Sequence, residues 1–382
     1  MLSLCTGYAA PLPETLRVQV SGDPSHFTIG VNMQHPSLAA QYAAAGINQF
    51  VGVDWPGVTA DSLKKFADLN ITVIATQTAD TLKLKDSPVI VGWDIGWDEP
   101  DNAQGDGHGG YGPCIEPSKV QQRYAQLKKA DPTRPIYMNF GRGVADTTWG
   151  GRGVCTGKTE MYSEYMKGCD VCAYDIYPDA NGGTGMCAGN LTCVYQGLEN
   201  LHAWDPRKGT AQPTPLGMAL ETGPIGDDAS KSPTPADLRS EVWMTLISGA
   251  TSINYFVHRF TKSGVDTSYL LKNPTMLAAV TKVNQEITSL APVLNAANCS
   301  ASAATVDDDR IAILARACSP TGMYLFAVNL ATTVVTPTFT VTSGGHEAQT
   351  IGYDEPPRNI PLVKAKFGDT FAKYQVHLYR LS

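Results

Sequence analysis

The sequence predicts an α/β fold in which eight parallel strands close into a TIM (β/α)8 barrel, followed by a small C-terminal antiparallel β-sandwich domain. Between about residue 28 and residue 293, short β-branched or aromatic runs alternate with amphipathic segments of helical period, which is the pattern of βα units around a parallel sheet. After residue 300 the helical period disappears, and strand-like runs separated by Pro, Gly and Ser follow. Closing eight strands into a barrel leaves no exposed sheet edge.

Eight short segments are the candidate barrel strands. They are, in order, Thr28–Asn32, Ile47–Val53, Ile71–Gln77, Val89–Trp97, Pro135–Phe140, Val171–Tyr177, Leu216–Glu221 and Ile253–Val257. Helix starts lie between them at Thr59, Pro117, Thr234-Pro235 and Asn273-Pro274, each followed by apolar residues at helical spacing. A capping oxygen before Pro favours a helix start, because the N–H that Pro lacks is one that the first helical position leaves unpaired.

A doubly wound open sheet is the alternative arrangement of the same elements. That fold is expected to carry a Gly-rich dinucleotide-binding loop after its first strand, whereas here the first strand runs into the segment Asn32–Pro36. The βα region covers about 265 residues, close to the roughly 250 of a typical barrel of this kind. We therefore predict residues 1–27 as an N-terminal extension, 28–295 as the barrel and 300–382 as the β-sandwich domain. The predicted strands of the second domain are Arg310–Ala317, Gly322–Leu330, Thr336–Val341 and Tyr374–Leu381.

Composition and charge exclude several classes of function. The chain has 382 residues, a net charge of -7 and 43% hydrophobic residues, and only 17% of its residues are charged, a composition that argues against wholesale disorder. An acidic balance without a run of Lys and Arg argues against a nucleic-acid partner or an anionic membrane surface. No apolar stretch reaches about 18 residues, so no membrane-spanning helix is predicted.

Nine cysteines indicate an exported protein, because loop thiols persist outside the cytosol as disulfides. Cys187 and Cys193 bracket a Gly-rich loop, and Cys299 and Cys318 flank an apolar segment, so both pairs are candidate bridges. The CxxC at 169–172 has no second such pair and no His tract beside it. We therefore predict no zinc site, and no other metal or cofactor.

Polar residues at the strand ends are the candidate functional residues, because the active site of such a barrel lies at the C-terminal ends of its strands. The fourth strand leads into the run Gly92–Asn102, which carries Glu99, and the seventh leads into Met218–Gly223, which carries Glu221. Burying an ionised carboxylate near a barrel mouth costs free energy unless the group is paired with a cation or has a role in binding or catalysis. Salt bridges to Arg or Lys are the structural alternative for both residues.

Two carboxyl groups that face each other across a barrel mouth suit the cleavage of a glycosidic bond. One carboxylic acid protonates the leaving oxygen, and a carboxylate about 5 Å away attacks or stabilises the anomeric carbon with net retention. The two Glu positions resemble the arrangement of the clan A glycoside hydrolases, and Phe371–Tyr379 resembles the last strand of the β-sandwich that often follows such barrels. This resemblance implies Glu99 as general acid/base, Glu221 as nucleophile and a β-linked substrate.

One position departs from the clan's pattern. The clan usually has Asn directly before its acid/base, where the amide bonds the sugar 2-hydroxyl, and Asp98 stands there in this sequence. Asp accepts a hydrogen bond from that hydroxyl but cannot donate one as an amide does. We expect its charge to raise the pKa of Glu99 by like-charge repulsion, a direction that suits a general acid.

Other strand ends supply a predicted substrate bed, since aromatic rings stack on sugar rings while amides, carboxylates and imidazoles bond the hydroxyls. The predicted substrate-binding residues are Asp54, Trp55, Gln77, Trp97, Asp98, Asn139, Arg142, Asp175, Tyr177, Tyr255 and His258. Tyr177 is also predicted to hold the nucleophile's carboxylate by its hydroxyl. A core histidine is an equally good interpretation of His258, and Trp93 and Trp243 are predicted to be core residues.

The sequence therefore predicts a secreted retaining glycosidase that acts on an oligo- or polysaccharide without a cofactor. A carbohydrate substrate is the expected partner, and no nucleic-acid, membrane or obligate protein partner is predicted. A catalytically silent glycan-binding barrel and an inverting or transglycosylating variant are the alternatives. Metal-dependent hydrolysis is disfavoured, because the seven His are scattered and form no His-x-His pair.

Overall fold

The barrel and the β-sandwich domain are both present. We analysed a computed structural model that describes residues 23–53, 57–105, 112–180, 185–319, 322–342 and 345–382. Eight parallel strands form a closed barrel in chain order, and the first strand closes onto the eighth through pairs such as Thr28 with Ser252. These strands are β1 Thr28–Gln34, β2 Gln49–Val53, β3 Thr72–Thr76, β4 Ile90–Asp94, β5 Ile136–Phe140, β6 Val171–Asp175, β7 Leu216–Glu221 and β8 Ser252–Phe256. The predicted fold class is confirmed.

Alternation along the strands separates two packed layers. Residues such as Phe50 and Tyr174 point out of the barrel and join the large core beneath the helices. A smaller cluster that includes Val51 and Tyr137 fills the inside. Space inside is tight at Gly30, where a Cβ would lie 1.8 Å from Oδ1 of Asn254. Inward-facing residues at the C-terminal ends of the strands therefore lie at the mouth of the barrel.

Eight α-helices lie in the described part of the chain. They are α1 Ala39–Ala44, α2 Ala60–Asp68, α3 Ala79–Lys83, α4 Pro117–Ala130, α5 Met161–Tyr165, α6 Thr192–Trp204, α7 Pro235–Ile247 and α8 Pro274–Leu294. Four of them begin as predicted from the sequence. Thr59 and Thr234 each form a reciprocal capping box with the residue three positions on, and the Asn273 side chain accepts from the Met276 N–H. Such caps satisfy N–H groups that a helix start leaves unpaired.

Two antiparallel sheets and a hairpin follow the barrel strands. The hairpin is β9 Arg259–Thr261 with β10 Gly264–Asp266, and the sheet strands are β11 Ala304–Val306, β12 Ile311–Ser319, β13 Gly322–Asn329, β14 Thr338–Val341, β15 Glu347–Thr350, β16 Asn359–Pro361, β17 Lys366–Gly368 and β18 Val376–Leu381. Strands β11, β14 and β17 form one sheet, and the other five form the second. A separate core that includes Phe339 and Tyr379 lies in this domain.

A buried ionic contact joins the two domains. Arg239 of α7 pairs with Glu286 of α8 at 3.2 Å and with Asp354 of the β domain at 2.8 Å. Trp243 is fully buried beneath it, and its Nε1 donates to Glu286 at 2.7 Å. The interpretation of Trp243 as a core residue agrees with this burial.

Four disulfides cross-link the described residues. Cys187–Cys193 and Cys299–Cys318 are the two pairs that the sequence indicated. Cys114–Cys155 and Cys169–Cys172 are the others, so the CxxC forms a disulfide. None of the described helices is long and apolar enough to cross a membrane.

Candidate active site

A pair of hydrogen-bonded carboxyl groups occupies the mouth of the barrel. Glu99 follows β4, Asp175 ends β6, and their side chains share a hydrogen bond. The Tyr177 hydroxyl donates to Oδ2 of Asp175 at 2.8 Å, and the Asn102 side-chain amide donates to Oε2 of Glu99. Glu99 is half-buried and Asp175 retains 8% of its exposure. A proton shared by two carboxyl groups in partial contact with solvent is available for acid–base chemistry.

The backbone around Glu99 is held in an unusual conformation. Glu99 has φ 44°, a region that non-glycine residues seldom adopt and that recurs at functional sites. Buried Asp101 anchors the following turn, because its carboxylate accepts from the Gly141 N–H at 3.0 Å and from the Tyr162 hydroxyl at 2.8 Å. Farther along, the Cys114–Cys155 disulfide ties the segment to the loop after β5. The surroundings thus fix the position of Glu99.

The environment separates the proton affinities of the two carboxyl groups. Burial raises the pKa of Glu99 well above its ordinary value, and the Asp175 charge, the hydrogen bond to Asp175 and the charges of Asp98 and Asp101 add to that rise. Burial also raises the pKa of Asp175, to about 6, although hydrogen bonds from Glu99 and Tyr177 oppose the change. The expected effect of Asp98 on Glu99 is present, but it is smaller than those of burial and Asp175. The surroundings therefore favour the proton on Glu99 and the negative charge on Asp175.

Glu221 lies in a second carboxyl cluster. Its side chain is fully buried, and its two oxygens accept from the backbone N–H groups of Asp179 at 2.8 Å and Ala180 at 2.7 Å. A carboxylate oxygen of Glu241, a fully buried residue of α7, lies within 4.8 Å of a Glu221 carboxylate oxygen. Burial above all raises the pKa of Glu221 to about 8, so a neutral carboxylic acid is its main form at pH 7.

Glu99 is not among the contacts of Glu221 in the described part of the chain, so the pairing of these two residues stays a prediction. The Glu221 carboxyl group lies against α7, a helix of the outer layer, under the backbone that follows β6. The Glu99 carboxyl group lies with Asp175 instead. The sequence could not show the approach of Glu221 to Glu241, because Glu241 is distant in sequence and lies in a helix.

The second cluster is also the group of described residues whose ligand atoms are close enough for a metal ion. Carboxylate oxygens of Asp179, Glu221 and Glu241 lie within 4.8 Å of one another. Both oxygens of Glu221 already accept backbone hydrogen bonds, and a proton between Glu221 and Glu241 removes one negative charge. Protonation therefore accounts for this cluster without a cation.

Two predicted substrate-binding residues point away from the mouth. The Tyr255 side chain is fully buried and its hydroxyl donates to Oδ1 of Asn284 in α8 at 2.7 Å. Tyr255 therefore belongs to the outward-facing set of β8, and Asn254 and Phe256 point inward. The Gln77 amide donates to the carbonyl of Leu127 in α4 at 3.2 Å, which directs it toward the helices. Both predictions were wrong about the side-chain direction.

Other predicted residues lie closer to the expected positions. Asn139 is half-buried on the inner face of β5, and its Oδ1 is buried without a hydrogen-bond partner in the described part of the chain. The His258 Nε2 lies 3.1 Å from the carbonyl oxygen of Asn32. Trp97 is half-buried against the core, and Asp98 is exposed beside Glu99. Asn139, His258 and Asp98 remain predicted substrate contacts.

Two predicted contacts need a change of role, and two lie outside the described residues. Tyr177 holds a carboxylate as expected, but that carboxylate belongs to Asp175 rather than to Glu221. Buried Arg142 pairs with Asp146 at 2.9 Å, so it braces the loop after β5. Asp54 and Trp55 are not among the described residues. Trp93 is fully buried and donates to Asp131 at 2.9 Å, in agreement with its prediction as core.

Sequence reasoning missed three side chains at this end of the barrel. Asn102 donates to Glu99, Glu241 lies beside Glu221, and the Phe256 ring centroid lies 4.9 Å from that of Tyr177. The alternation Phe256, His258, Phe260 was a usable signal for the last of these, since every second residue shares one strand face. No comparable signal marks Glu241, because a carboxylate in a helix ordinarily faces solvent.

Comparison with solved structures supports the fold. The structure of AmyP in complex with maltose matches 94% of this chain and 97% of its own, at 8% identity and a TM-score of 0.53. A family 39 glycoside hydrolase from the gut symbiont Bacteroides cellulosilyticus matches 94% of this chain and 82% of its own, at 11% identity and a TM-score of 0.52. No family model and no curated protein matches the sequence. At such low identities the similarity establishes the fold alone, which is one that glycoside hydrolases use.

Proposed function

We propose that this chain is a glycoside hydrolase that cleaves an oligo- or polysaccharide, with Glu99 as the proton donor. The observation that carries the proposal is the Glu99–Asp175 carboxyl pair at the barrel mouth, held by Asn102 and Tyr177. Cleavage of a glycosidic bond requires a protonated carboxyl group as acid and an ionised one as nucleophile or base. The maltose bound to AmyP, a protein of the same fold, is further support for a carbohydrate ligand.

The difference in pKa assigns the two roles. Glu99 is the better proton donor because burial and the Asp175 charge raise its pKa well above the ordinary value. Asp175 has a pKa of about 6, so most of it is ionised at pH 7 and can act as nucleophile. An acid and a base whose environments push their pKa values apart are a recurrent pattern in such sites.

The reaction follows in two steps. A substrate that enters between the carboxyl groups replaces their mutual hydrogen bond, and Glu99 gives its proton to the glycosidic oxygen as the bond to the anomeric carbon breaks. Asp175 attacks that carbon and forms a glycosyl ester. Glu99, now ionised, takes a proton from water, the water oxygen attacks the anomeric carbon, and the ester bond to Asp175 breaks.

The closeness of the two carboxyl groups favours retention of configuration. Inverting enzymes hold their carboxyl groups about 6.5–9.5 Å apart to leave room for water, and retaining pairs are about 5–5.5 Å apart. Glu99 and Asp175 are in hydrogen-bond contact, so a modest opening reaches the shorter separation. A β-linked substrate is proposed from the clan A resemblance alone.

Glu221 is the second candidate nucleophile, because the sequence resemblance assigns that role to it. Two backbone N–H groups orient its carboxyl group, as a nucleophile would need. Its complete burial and its pKa of about 8 favour Asp175 over it, since a protonated carboxyl group is a poor nucleophile.

A glycan panel tests the proposal. Wild-type protein is screened against α- and β-linked polysaccharides for released reducing ends, with Glu99→Gln, Asp175→Asn and Glu221→Gln in parallel. Loss of the general acid alone should lower turnover by about 10²–10⁴-fold, and Asp175→Asn should lower it at least as much. NMR of the first-formed anomer should show retention.

Each outcome of the panel has a clear meaning. Wild-type turnover by Glu99→Gln would refute the role of Glu99. Full activity of Asp175→Asn with loss in a folded Glu221→Gln would return the nucleophile to Glu221. Binding of glycans without cleavage of any would indicate a silent glycan-binding barrel. Formation of longer products from added acceptors would reveal transglycosylation.

We also propose that the protein works outside the cytosol. Four disulfides among the described residues support this location, because such bonds persist in oxidising compartments.

A further inference from the structure

We propose that Phe256, His258 and Phe260 form an aromatic platform that binds the sugar rings of a substrate chain where it leaves the carboxyl pair. This inference rests on the proposed glycosidase function and adds to it. It identifies the substrate as a chain of several sugar units, of which at least one lies beyond the cleaved bond.

The platform is built by strand alternation. Phe256 ends β8 and Phe260 lies in β9, with His258 between them, so the three side chains share the inward-facing side of one extended segment. Their rings are stacked: Phe256 and His258 have centroids 5.2 Å apart at an interplanar angle of 26°, and His258 and Phe260 have centroids 6.2 Å apart at 24°. The segment from the end of β8 into β9 thus continues the wall of the barrel past its rim.

The platform begins at the proposed catalytic groups. The rings of Phe256 and Tyr177 have centroids 4.9 Å apart, and the Tyr177 hydroxyl donates to Asp175. Aromatic surface therefore runs from the Asp175 carboxylate to the outer end of the β9–β10 hairpin. A chain bonded at the carboxyl pair can lie along this surface.

The outer end of the platform is exposed and apolar. Phe260 is 46% exposed, and Val265, directly across the hairpin, is 56% exposed. Cross-strand partners project from the same face of a hairpin, so the two side chains form one small apolar surface. A flat ring beside an aliphatic group suits the apolar face of a sugar ring.

The hairpin is anchored rather than loosely attached. Arg259 donates from Nε to the carbonyl of Gly226 and from Nη2 to that of Asp227, both at 3.0 Å. The Phe260 N–H donates to the carbonyl of Ile225 at 2.6 Å. The Arg259 guanidinium also lies 5.2 Å from the centroid of the Tyr269 ring. A binding surface fixed in advance loses little entropy when it takes up a ligand.

A sugar chain fits this surface better than a protein partner does. Stable protein interfaces bury about 800 Å² on each side, far more than two exposed side chains supply. Polar groups border the apolar pair, among them Thr261, Ser263 and the Lys272–Asp266 ion pair. A small apolar face within a polar border is typical of a carbohydrate site.

The test measures how activity depends on chain length. Cello-, xylo-, laminari-, chito- and malto-oligosaccharides of two to six units serve as probes, and the best series is then used for kinetics with wild type, Phe260→Ala, Phe260→Trp and Val334→Ala. Val334 is an exposed apolar residue of the β domain and serves as the control. Affinity is measured separately by calorimetry in the Glu99→Gln background, where hydrolysis is suppressed.

We expect Phe260→Ala to raise KM for the longer oligosaccharides by about tenfold, because most of one buried ring contact is lost. The value of kcat, and KM for the shortest oligosaccharides, should change little. Phe260→Trp should keep wild-type values, and Val334→Ala should match wild type. If Phe260→Ala changed KM equally at every chain length, or at none, the platform would be refuted. Hydrolysis by the wild type would still support the proposed function in that case. Failure of wild type to bind or cleave any member would refute the proposed function. A change of oligomeric state in Phe260→Ala would show that the surface joins two copies of the chain.

Discussion

The carboxyl cluster around Glu221 predicts that the protein loses stability as the pH rises. Both Glu221 and Glu241 are fully buried, and burial raises the pKa of each. The unfolded chain releases these protons above pH of about 4.5, whereas the folded chain keeps them. Folding therefore binds extra protons above that pH, and the free energy of unfolding falls as the pH rises. We expect Glu241→Gln to reduce this fall.

The magnitude follows from the pKa of Glu221. A rise from 4.5 to about 8, at about 1.4 kcal/mol for each pH step of one, corresponds to at most about 5 kcal/mol. The cost is absent below pH of about 4.5 and complete above pH of about 8. Gln at position 241 carries no charge, and its amide can donate to an ionised Glu221. The proton that Glu241 itself releases on unfolding is absent from this variant, whereas burial still raises the pKa of Glu221, so the fall in the free energy of unfolding should be smaller but not abolished.

Urea unfolding followed by tryptophan fluorescence between pH 5 and pH 8.5 measures the effect. The control is Glu164→Gln, since Glu164 is exposed and its pKa is lowered by a hydrogen bond from Lys167. We expect the wild type and the control to lose stability in parallel across this range and Glu241→Gln to lose less. Identical pH dependence in wild type and Glu241→Gln would refute the protonated pair.

Three further predictions concern the Glu99–Asp175 pair and its supporting loop. Asp98→Asn removes one of the charges that raise the pKa of Glu99, so the alkaline limb of the pH profile of kcat/KM should move to lower pH; an unmoved limb would show that Asp98 does not act on Glu99. Tyr177→Phe removes a hydrogen bond that lowers the pKa of Asp175, so the acidic limb of the same profile, expected near pH 6, should move to higher pH. A shift to lower pH, or no shift, would contradict the assignment of this limb to Asp175. Replacing Cys114 and Cys155 by Ser opens a link across 41 residues and should lower the free energy of unfolding by about 4 kcal/mol in urea titrations, whereas unchanged stability would mean that the bridge is dispensable.

The positions of the barrel strands could be predicted from the sequence, because each strand is a short run of β-branched or aromatic residues between segments with helix signals. The segment Leu216–Glu221 was predicted at its observed bounds, and the caps at Thr59 and Thr234 begin helices as expected. The three-residue strands of the β domain, such as Asn359–Pro361, were missed, because three residues are too few to establish a period of two. Local signals therefore sufficed for the barrel but not for the short edge strands.

The site was only partly readable, because side-chain direction depends on contacts that are distant in sequence. Glu99 was identified from its place after β4, but its partner Asp175 was assigned to substrate binding. Glu221 was identified from its place at the end of β7, and its attachment to Glu241 in α7 had no local signal. Tyr255 and Phe256 are neighbours of similar chemistry, and only the strand register decides which of them faces the mouth.

The identity of the carboxylate that becomes glycosylated tests the central claim most directly. An activated 2-fluoro-glycoside of the sugar found in the panel should trap the glycosyl ester on its nucleophile. After reduction and trypsin digestion, Asp175 lies in the peptide Gly168–Arg207 and Glu221 in the peptide Gly209–Lys231, so mass spectrometry separates the two. We predict label in Gly168–Arg207, at Asp175. Label at Glu221, in Gly209–Lys231, would contradict the assignment of the nucleophile to the Glu99–Asp175 pair.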